Sequence, residues 1–205
     1  LEGRKVIFFG LPMYGGHCQA PFFGSCLQMK EALRDVPHDI SILTNESAVH
    51  RARNQLAKTF LETENERLMF IDSDIEFNPN DIGKLWQMDA DIAVGLYPMK
   101  KIGAQKAAWV DGELVTDMPE GNFEVDYAGT GFMMIKREVF EAMKEHVKQE
   151  KTEEGKRYRF FHFPVRGGVE LSEDYEFCRL AKKLGFKVIA NPEIKLTHYG
   201  LHGYE

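Results

Sequence analysis

The sequence is poor in cysteine, lacks a long apolar run and lacks charge of one sign. Its three cysteines, Cys18, Cys26 and Cys178, are odd in number and without the paired spacing of a metal or disulfide framework. They fit a reducing compartment, and each is assigned to packing rather than chemistry. No apolar stretch approaches the roughly 20 residues that span a bilayer, and no signal peptide is visible. The expectation is a cytoplasmic protein with no membrane span. Lysine and arginine total 26 against 32 aspartates and glutamates, mixed along the chain, for a net charge of −6. That balance excludes a basic face for nucleic acid or an acidic membrane, so no nucleic-acid partner is expected. Repeats and sharp shifts of composition are also missing, and the 205 residues read as a single domain, 1–205. The opening "LEGR" lacks a methionine and reads as a scar ahead of an excised domain. It is given no functional weight.

What is present is an alternation of apolar runs and amphipathic stretches, with 43% hydrophobic residues to fill a core. "KVIFFGL" (Lys5 to Leu11), "HDISILT" (His38 to Thr44), Arg67 to Asp72 and "DIAVGLYP" (Asp91 to Pro98) read as strands. Helices are expected over Phe22 to Val36, about Ser47 to Leu61, and after Asn78, which is placed to cap a helix with Pro79 in its first turn. This alternation predicts an α/β domain with a mostly parallel central sheet. After Lys101 the rhythm changes. "QKAAWVDGELV" reads as a hairpin turning at Asp111-Gly112, and "GFMMIK" as a strand leading into a helix from Arg137 to His146. Lys148 to Arg157 is polar enough to be an exposed, mobile loop. A last helix is expected over Ser172 to Leu184, followed by the strand "FKVIA".

Two aspartates flank Ser73 in "FIDSDIEF", at the end of an apolar run. Residues two apart on a strand share a face, so a strand continuing through Asp72 and Asp74 would set two carboxylates side by side. Something positive must lie near them. The tripeptide can bind a divalent cation, contact a ribose or cap a turn. Hard cations such as Mg²⁺ and Mn²⁺ favour carboxylates and keep positions open for substrate phosphates. Arg53 falls inside the stripe Val49, Ala52, Leu56, Phe60, where it either snorkels to the edge or meets a buried carboxylate such as Asp72 or a ligand phosphate. His50 and Asn54 are assigned to the surface. "GTGF" (Gly129 to Phe132) is a tight turn or a place of close backbone approach to a ligand. "SEDYEF" opens the last helix with Ser172 as N-cap, and the helix dipole favours ionised Asp174, as a general base requires. "KLTHYG" ends a strand-like run on His198, a structural residue or a good Mn²⁺ ligand.

Taken together these pieces resemble a glycosyltransferase of the GT-A fold. The features that carry the resemblance are "DSD", then "GTGFMMIKREVF", then "SEDYEF", then a late histidine, in order from Lys5 to about His198. The small size and "RARN" are most similar to compact viral or microbial members, such as the domains with which large algal viruses glycosylate capsid protein. The resemblance implies a Rossmann-like mixed sheet flanked by helices. It implies a donor half over about 5–101 and an acceptor half over about 102–205. It also implies a nucleoside-diphosphate sugar donor, most often a UDP-sugar, and a hydroxyl acceptor on a glycan or glycoprotein. Under it Asp74 and His198 hold Mn²⁺ or Mg²⁺, while Asp72 contacts ribose or metal-bound water. Asp174 takes the proton of the acceptor hydroxyl. Leu11, Pro12, Met13 and Asn45 flank the nucleotide, and Arg53, Ser73, Gly129, Thr130 and Gly131 complete the donor site. The segment "THYGLHGYE", with Tyr199, His202 and Tyr204, is expected to close over the donor. Two rivals differ in class. A nucleotidyltransferase shares the nucleotide-binding layout but usually carries a basic residue after its first strand, where "GLPMYGGHCQAP" has none. A sugar- or nucleotide-binding module without turnover is the non-enzyme alternative.

Overall fold

Both faces of the central sheet are apolar because its strands alternate two sets of large side chains. The computed structural model describes residues 6–101, 103, 105–106, 108–153, 155–200 and 203–204. The expectations for 1–5, for His202 and for Glu205 fall outside them. In chain order the elements are β1 (Ile7–Met13), α1 (Ala20–Ala32), β2 (His38–Thr44), α2 (Val49–Leu61), β3 (Arg67–Ile71), β4 (Ile75–Glu76), α3 (Asn80–Gln87) and β5 (Ile92–Gly95). Then come β6 (Ala108–Val110), β7 (Glu113–Val115), β8 (Phe123–Glu124), β9 (Phe132–Lys136), α4 (Arg137–Met143), β10 (Gln149–Thr152) and β11 (Gly155–Tyr158). The chain continues through β12 (Val165–Arg166), β13 (Val169–Glu170), α5 (Glu173–Lys183), β14 (Val188–Asn191), β15 (Thr197–Tyr199) and β16 (Gly203–Tyr204). No helix among the described residues is long and apolar enough to cross a membrane.

Seven strands form one sheet in the order β2-β1-β3-β9-β5-β14-β8. β2, β1 and β3 are mutually parallel, as are β5 and β14, while β9 runs antiparallel between β3 and β5 and β8 antiparallel to β14. The architecture is the expected mixed α/β layer, mostly parallel. Alternation along each strand fills two cores: Phe8, Leu68, Phe70, Met133 and Ile135 face α2, α4 and α5, while Phe9, Met69, Ile71, Phe132 and Met134 face α1 and α3. Strands covered on both faces are therefore apolar throughout.

Several sequence readings need correction. Lys148 to Arg157 is not a loop, because β10 and β11 pair antiparallel there and Arg157 bonds Glu150 across the hairpin at 2.6 Å. Lys148, Lys151, Glu153 and Lys156 face water on a ribbon, where polarity looks the same as in a loop. Asn54 is buried, not exposed. Its side chain donates to Phe161 O at 2.7 Å and accepts from Phe161 N at 2.8 Å, supplying main-chain partners to an irregular segment. Val49, placed in the apolar stripe, is 37% exposed. The first helix starts two residues earlier than expected, at Ala20, and stops at Ala32, well before Pro37. The third strand ends at Ile71, one residue short of Asp72.

Glu176 fastens the β12–β13 hairpin to α5. It is buried, yet it accepts from Arg166 at 2.7 and 3.1 Å and from Arg179 at 2.7 Å twice. Burial pushes its carboxyl up, but the two guanidiniums outweigh that and bring it from 4.5 down to about 2. A depressed folded-state value stabilises above the unfolded one and is lost as the pH falls towards the folded one. Glu176→Gln should therefore cost about 1–2 kcal/mol at pH 7, allowing for solvent screening at the arginines. That gap should close between about pH 5 and pH 2 in urea unfolding of both proteins. A gap independent of pH would show that the arginines hold the hairpin without the charge.

Candidate active site

The crevice that forms the site follows from how the chain leaves β1. α1, between β1 and β2, packs on one face of the sheet and α2, between β2 and β3, on the other, so the two connections diverge and open a gap at the carboxyl ends of β1, β2 and β3. Such switch points are where open α/β sheets take ligands. A cavity of about 170 Å³ lies there, lined by Pro12, Tyr14, Glu46, Ser47, Val49, Ala52 and Asp72–Asp74. A second, of about 610 Å³, is lined by Tyr97, Lys100, Trp109, Gly129, Ser172–Tyr175 and His198 among others.

Both aspartates line the smaller cavity. Because β3 ends at Ile71, Asp72, Ser73 and Asp74 lie in a turn, held by Asp72 N on Gly131 O and Ile75 N on Asp72 O. The two carboxylates go to different cations. Asp72 receives Arg53 Nη2 at 3.1 and 3.2 Å, and the other arm of the same guanidinium donates to Glu173. Arg53 is 4% exposed, which decides its reading as a buried ion-pair partner rather than a snorkelling side chain. Burial pushes the Glu173 carboxyl up, and Arg53 opposes it only in part.

Asp74 faces the late histidine because β15 zips onto β4. Thr197 pairs with Glu76 and His198 with Ile75, Tyr199 N donates to Asp74 O at 2.7 Å, and Tyr199 OH to Glu76 at 2.8 Å. His198 Nε2 then lies 3.6 Å from Asp74 Oδ1. Its Nδ1 lies 3.0 Å from Pro98 O, and a carbonyl can only accept, so Nδ1 carries a proton. The ring therefore turns its Nε2 edge towards Asp74, the arrangement by which a backbone carbonyl orients a metal-binding imidazole. Asp74 Oδ1 is buried and has no hydrogen-bond partner. Lys100 Nζ bonds the other oxygen, Oδ2. Burial pushes Asp74 up, but His198 and Lys100 together hold it below the usual carboxylate range. Among the described residues no three His, Cys, Asp or Glu side chains gather as a metal cage. Asp74 and His198 are two donors of a type suited to a hard cation, whose other positions would be left to waters or a ligand, as Mg²⁺ sites commonly leave them.

No protein-family model and no curated protein matches the chain. Among solved structures, A197 from STIV superposes with a TM-score of 0.63 at 20% identity, over 96% of this chain and 86% of that one. The chain has a GT-A-type fold. GalNAc-T7 with UDP, GalNAc and Mn²⁺ matches at 12% identity and TM-score 0.56, over all of this chain and 46% of that one. The inositol-1-phosphate CTP transferase from T. maritima matches at 11% and 0.50, over 97% and 91%.

Within that fold the sequence-predicted residues scatter. Pro12, Ser73, Asp72 and Asp74 line the smaller cavity, and Gly129, Asp174 and His198 the larger. Leu11 does not flank a cavity with its side chain, since it is 3% exposed within the core. Met13 packs beside that same core. Asn45 is exposed with φ 62°, and the cavity is lined instead by its neighbours Glu46 and Ser47. Gly129 and Gly131 make a close approach, but to a protein group. A Cβ on them would lie 2.4 and 2.7 Å from the Tyr97 hydroxyl, which accepts from Gly131 N at 2.9 Å. Thr130 is buried with its hydroxyl unpartnered. Thr197–Tyr199 is paired on both sides, with Ile75–Glu76 and with Gly203–Tyr204. Tyr14, Tyr97, Lys100 and Glu173 escaped the sequence reading. Only Glu173 carried a signal, as the neighbour of a helix-opening aspartate.

Proposed function

We propose that the chain is a metal-dependent glycosyltransferase that moves a sugar from a nucleoside-diphosphate sugar, with UDP as the first choice, to a hydroxyl on a glycan or glycoprotein. The observation that carries this reading is the buried, unpartnered Asp74 Oδ1 facing an oriented His198 Nε2, at the junction of two cavities. The smaller cavity suits the nucleotide, and the larger, with Asp174, suits the acceptor. Residues up to about 101 thus form the donor half and later ones the acceptor half. Mn²⁺ or Mg²⁺ held by Asp74 and His198 would act as a Lewis acid, offsetting charge on the departing diphosphate.

The chain's own groups do the rest. Asp174 Oδ1 accepts from Ser172 Oγ and from Tyr175 N at 2.9 Å, which fixes the carboxylate and leaves Oδ2 for the acceptor hydroxyl. As that oxygen bonds the anomeric carbon, its proton passes to Asp174. The bond from that carbon to phosphate oxygen breaks, and its electron pair leaves with the diphosphate. A nucleotidyltransferase is the runner-up, supported by the CTP transferase likeness in fold alone. The loop from Tyr14 to Gln19 between β1 and α1 holds no lysine or arginine to receive a triphosphate.

Calorimetry of UDP on wild type and Asp74→Ala, each with Mn²⁺ and with chelator, tests the reading. Binding is expected in wild type with Mn²⁺ and should fall at least tenfold in the other three samples, the loss of a single charge-assisted contact or more. Equal affinity in all four would sink the metal bridge.

A further inference from the structure

The cation bonded to Asp74 is a lysine. Lys100 Nζ bonds Asp74 Oδ2, next to the unpartnered Oδ1 that faces His198. The side chain is 39% exposed and lines the larger cavity together with Asp174 and His198. Among the described residues lining the two cavities it carries the single ammonium, and no guanidinium lines either. Nearby Arg53 is committed to Asp72 and Glu173, and Arg51 to Glu46. Lys100 also follows closely on Pro98, whose carbonyl orients His198, so its backbone is anchored beside the site while four carbons of stem remain free to swing.

A dication on Asp74 and His198 would share one carboxylate with this ammonium. Two like-signed charges within a few ångströms of each other repel, and a partly exposed lysine is the one that can move. A diphosphate arriving at the junction brings negative charge into a cavity whose walls offer no other mobile cation. We propose that Lys100 exchanges partners: it neutralises Asp74 in the absence of ligands and passes to the donor's diphosphate when metal takes the carboxylate. It is thus a donor-binding residue, and it also sets how much metal the site requires. This inference rests on the donor site assigned above.

The two roles have opposite signs, which makes the test selective. In Lys100→Met and Lys100→Gln, Mn²⁺ alone should bind more tightly, by roughly three- to thirtyfold, because its competitor for Asp74 is gone. UDP in saturating Mn²⁺ should bind more weakly, by about tenfold, the loss of a charge-assisted contact. Mn²⁺ affinity is read by electron paramagnetic resonance of the free ion, and UDP affinity by calorimetry. Lys100→Arg should keep UDP affinity close to wild type. Weakening of both ligands would show a structural lysine, and tightening of both a mere plug; either overturns the exchange. No change in either arm, with wild type still binding UDP through Mn²⁺, overturns the exchange and leaves the function reading intact. Wild type that binds Mn²⁺ but not UDP overturns the function reading first, and with it the exchange.

Discussion

Asp174→Asn should leave UDP affinity in Mn²⁺ unchanged while transfer to a hydroxyl acceptor falls by about 10² to 10⁴, the usual contribution of a general base. The split is expected because Asp174 lines the cavity without the aspartate turn and is the proposed base for the acceptor, so its loss should be felt in turnover and not in donor binding. Asparagine keeps the Oδ1 contacts to Ser172 and Tyr175 N, so the helix start survives and the measurement isolates proton transfer. Steady-state transfer from a UDP-sugar, with donor affinity measured in parallel, is the required pair of numbers. The neighbouring Glu173 provides the internal control. It lines the same cavity and its carboxyl is pushed up by burial, but one oxygen is held by Arg53. Near-normal transfer by Asp174→Asn combined with collapse in Glu173→Gln would reassign the base to Glu173. Near-normal transfer by both would point to a mechanism in which the acceptor is deprotonated elsewhere.

The α/β class was legible because the strands that matter are apolar on both faces, and such runs survive without knowledge of their neighbours. The aspartate turn, the "SEDYEF" helix start and His198 were legible for a different reason: each combines an unusual residue type with an element end. Direction was not legible. β9 reads as another buried strand, and only the sheet shows that it runs against β3 and β5. The hairpin β10–β11 was hidden because a two-stranded ribbon on the surface is as polar as a loop. Asn54 was misplaced because periodicity reports polarity, and this side chain is buried by its hydrogen bonds to Phe161. Lys100 could not be found at all from sequence. Its importance comes from a contact across 26 positions, between a loop and a turn that no local pattern relates.

Arg53 should carry the largest single effect on stability. Its guanidinium is 4% exposed and holds two carboxylates, Asp72 in the aspartate turn and Glu173 at the start of α5. In Arg53→Met the packing volume is roughly kept, but two carboxylates, Glu173 at 8% side-chain exposure and Asp72 at 22%, lose their shared cation. Breaking a buried pair from one side costs about 3–5 kcal/mol, mostly the penalty of the charges left behind. The cost should depend on pH in a stated direction. Glu173 is already pushed up by burial, with Arg53 as the opposing influence, so removing Arg53 raises it further. A carboxyl whose folded value exceeds its unfolded one binds protons more tightly in the native state, and stability then falls as pH rises through that range. The variant should therefore recover part of its deficit against wild type between pH 8 and pH 5, measured by urea unfolding at both values. Arg53→Met combined with Glu173→Gln should recover part of it at pH 8 as well, since one of the two stranded charges is gone. Arg53→Lys should fall between wild type and methionine, because an ammonium keeps the charge but cannot span both carboxylates with a rigid fork. If Arg53→Met lost less than about 1 kcal/mol, the size of an exposed pair, the clamp between the aspartate turn and α5 would not be what holds the two sides of the site together.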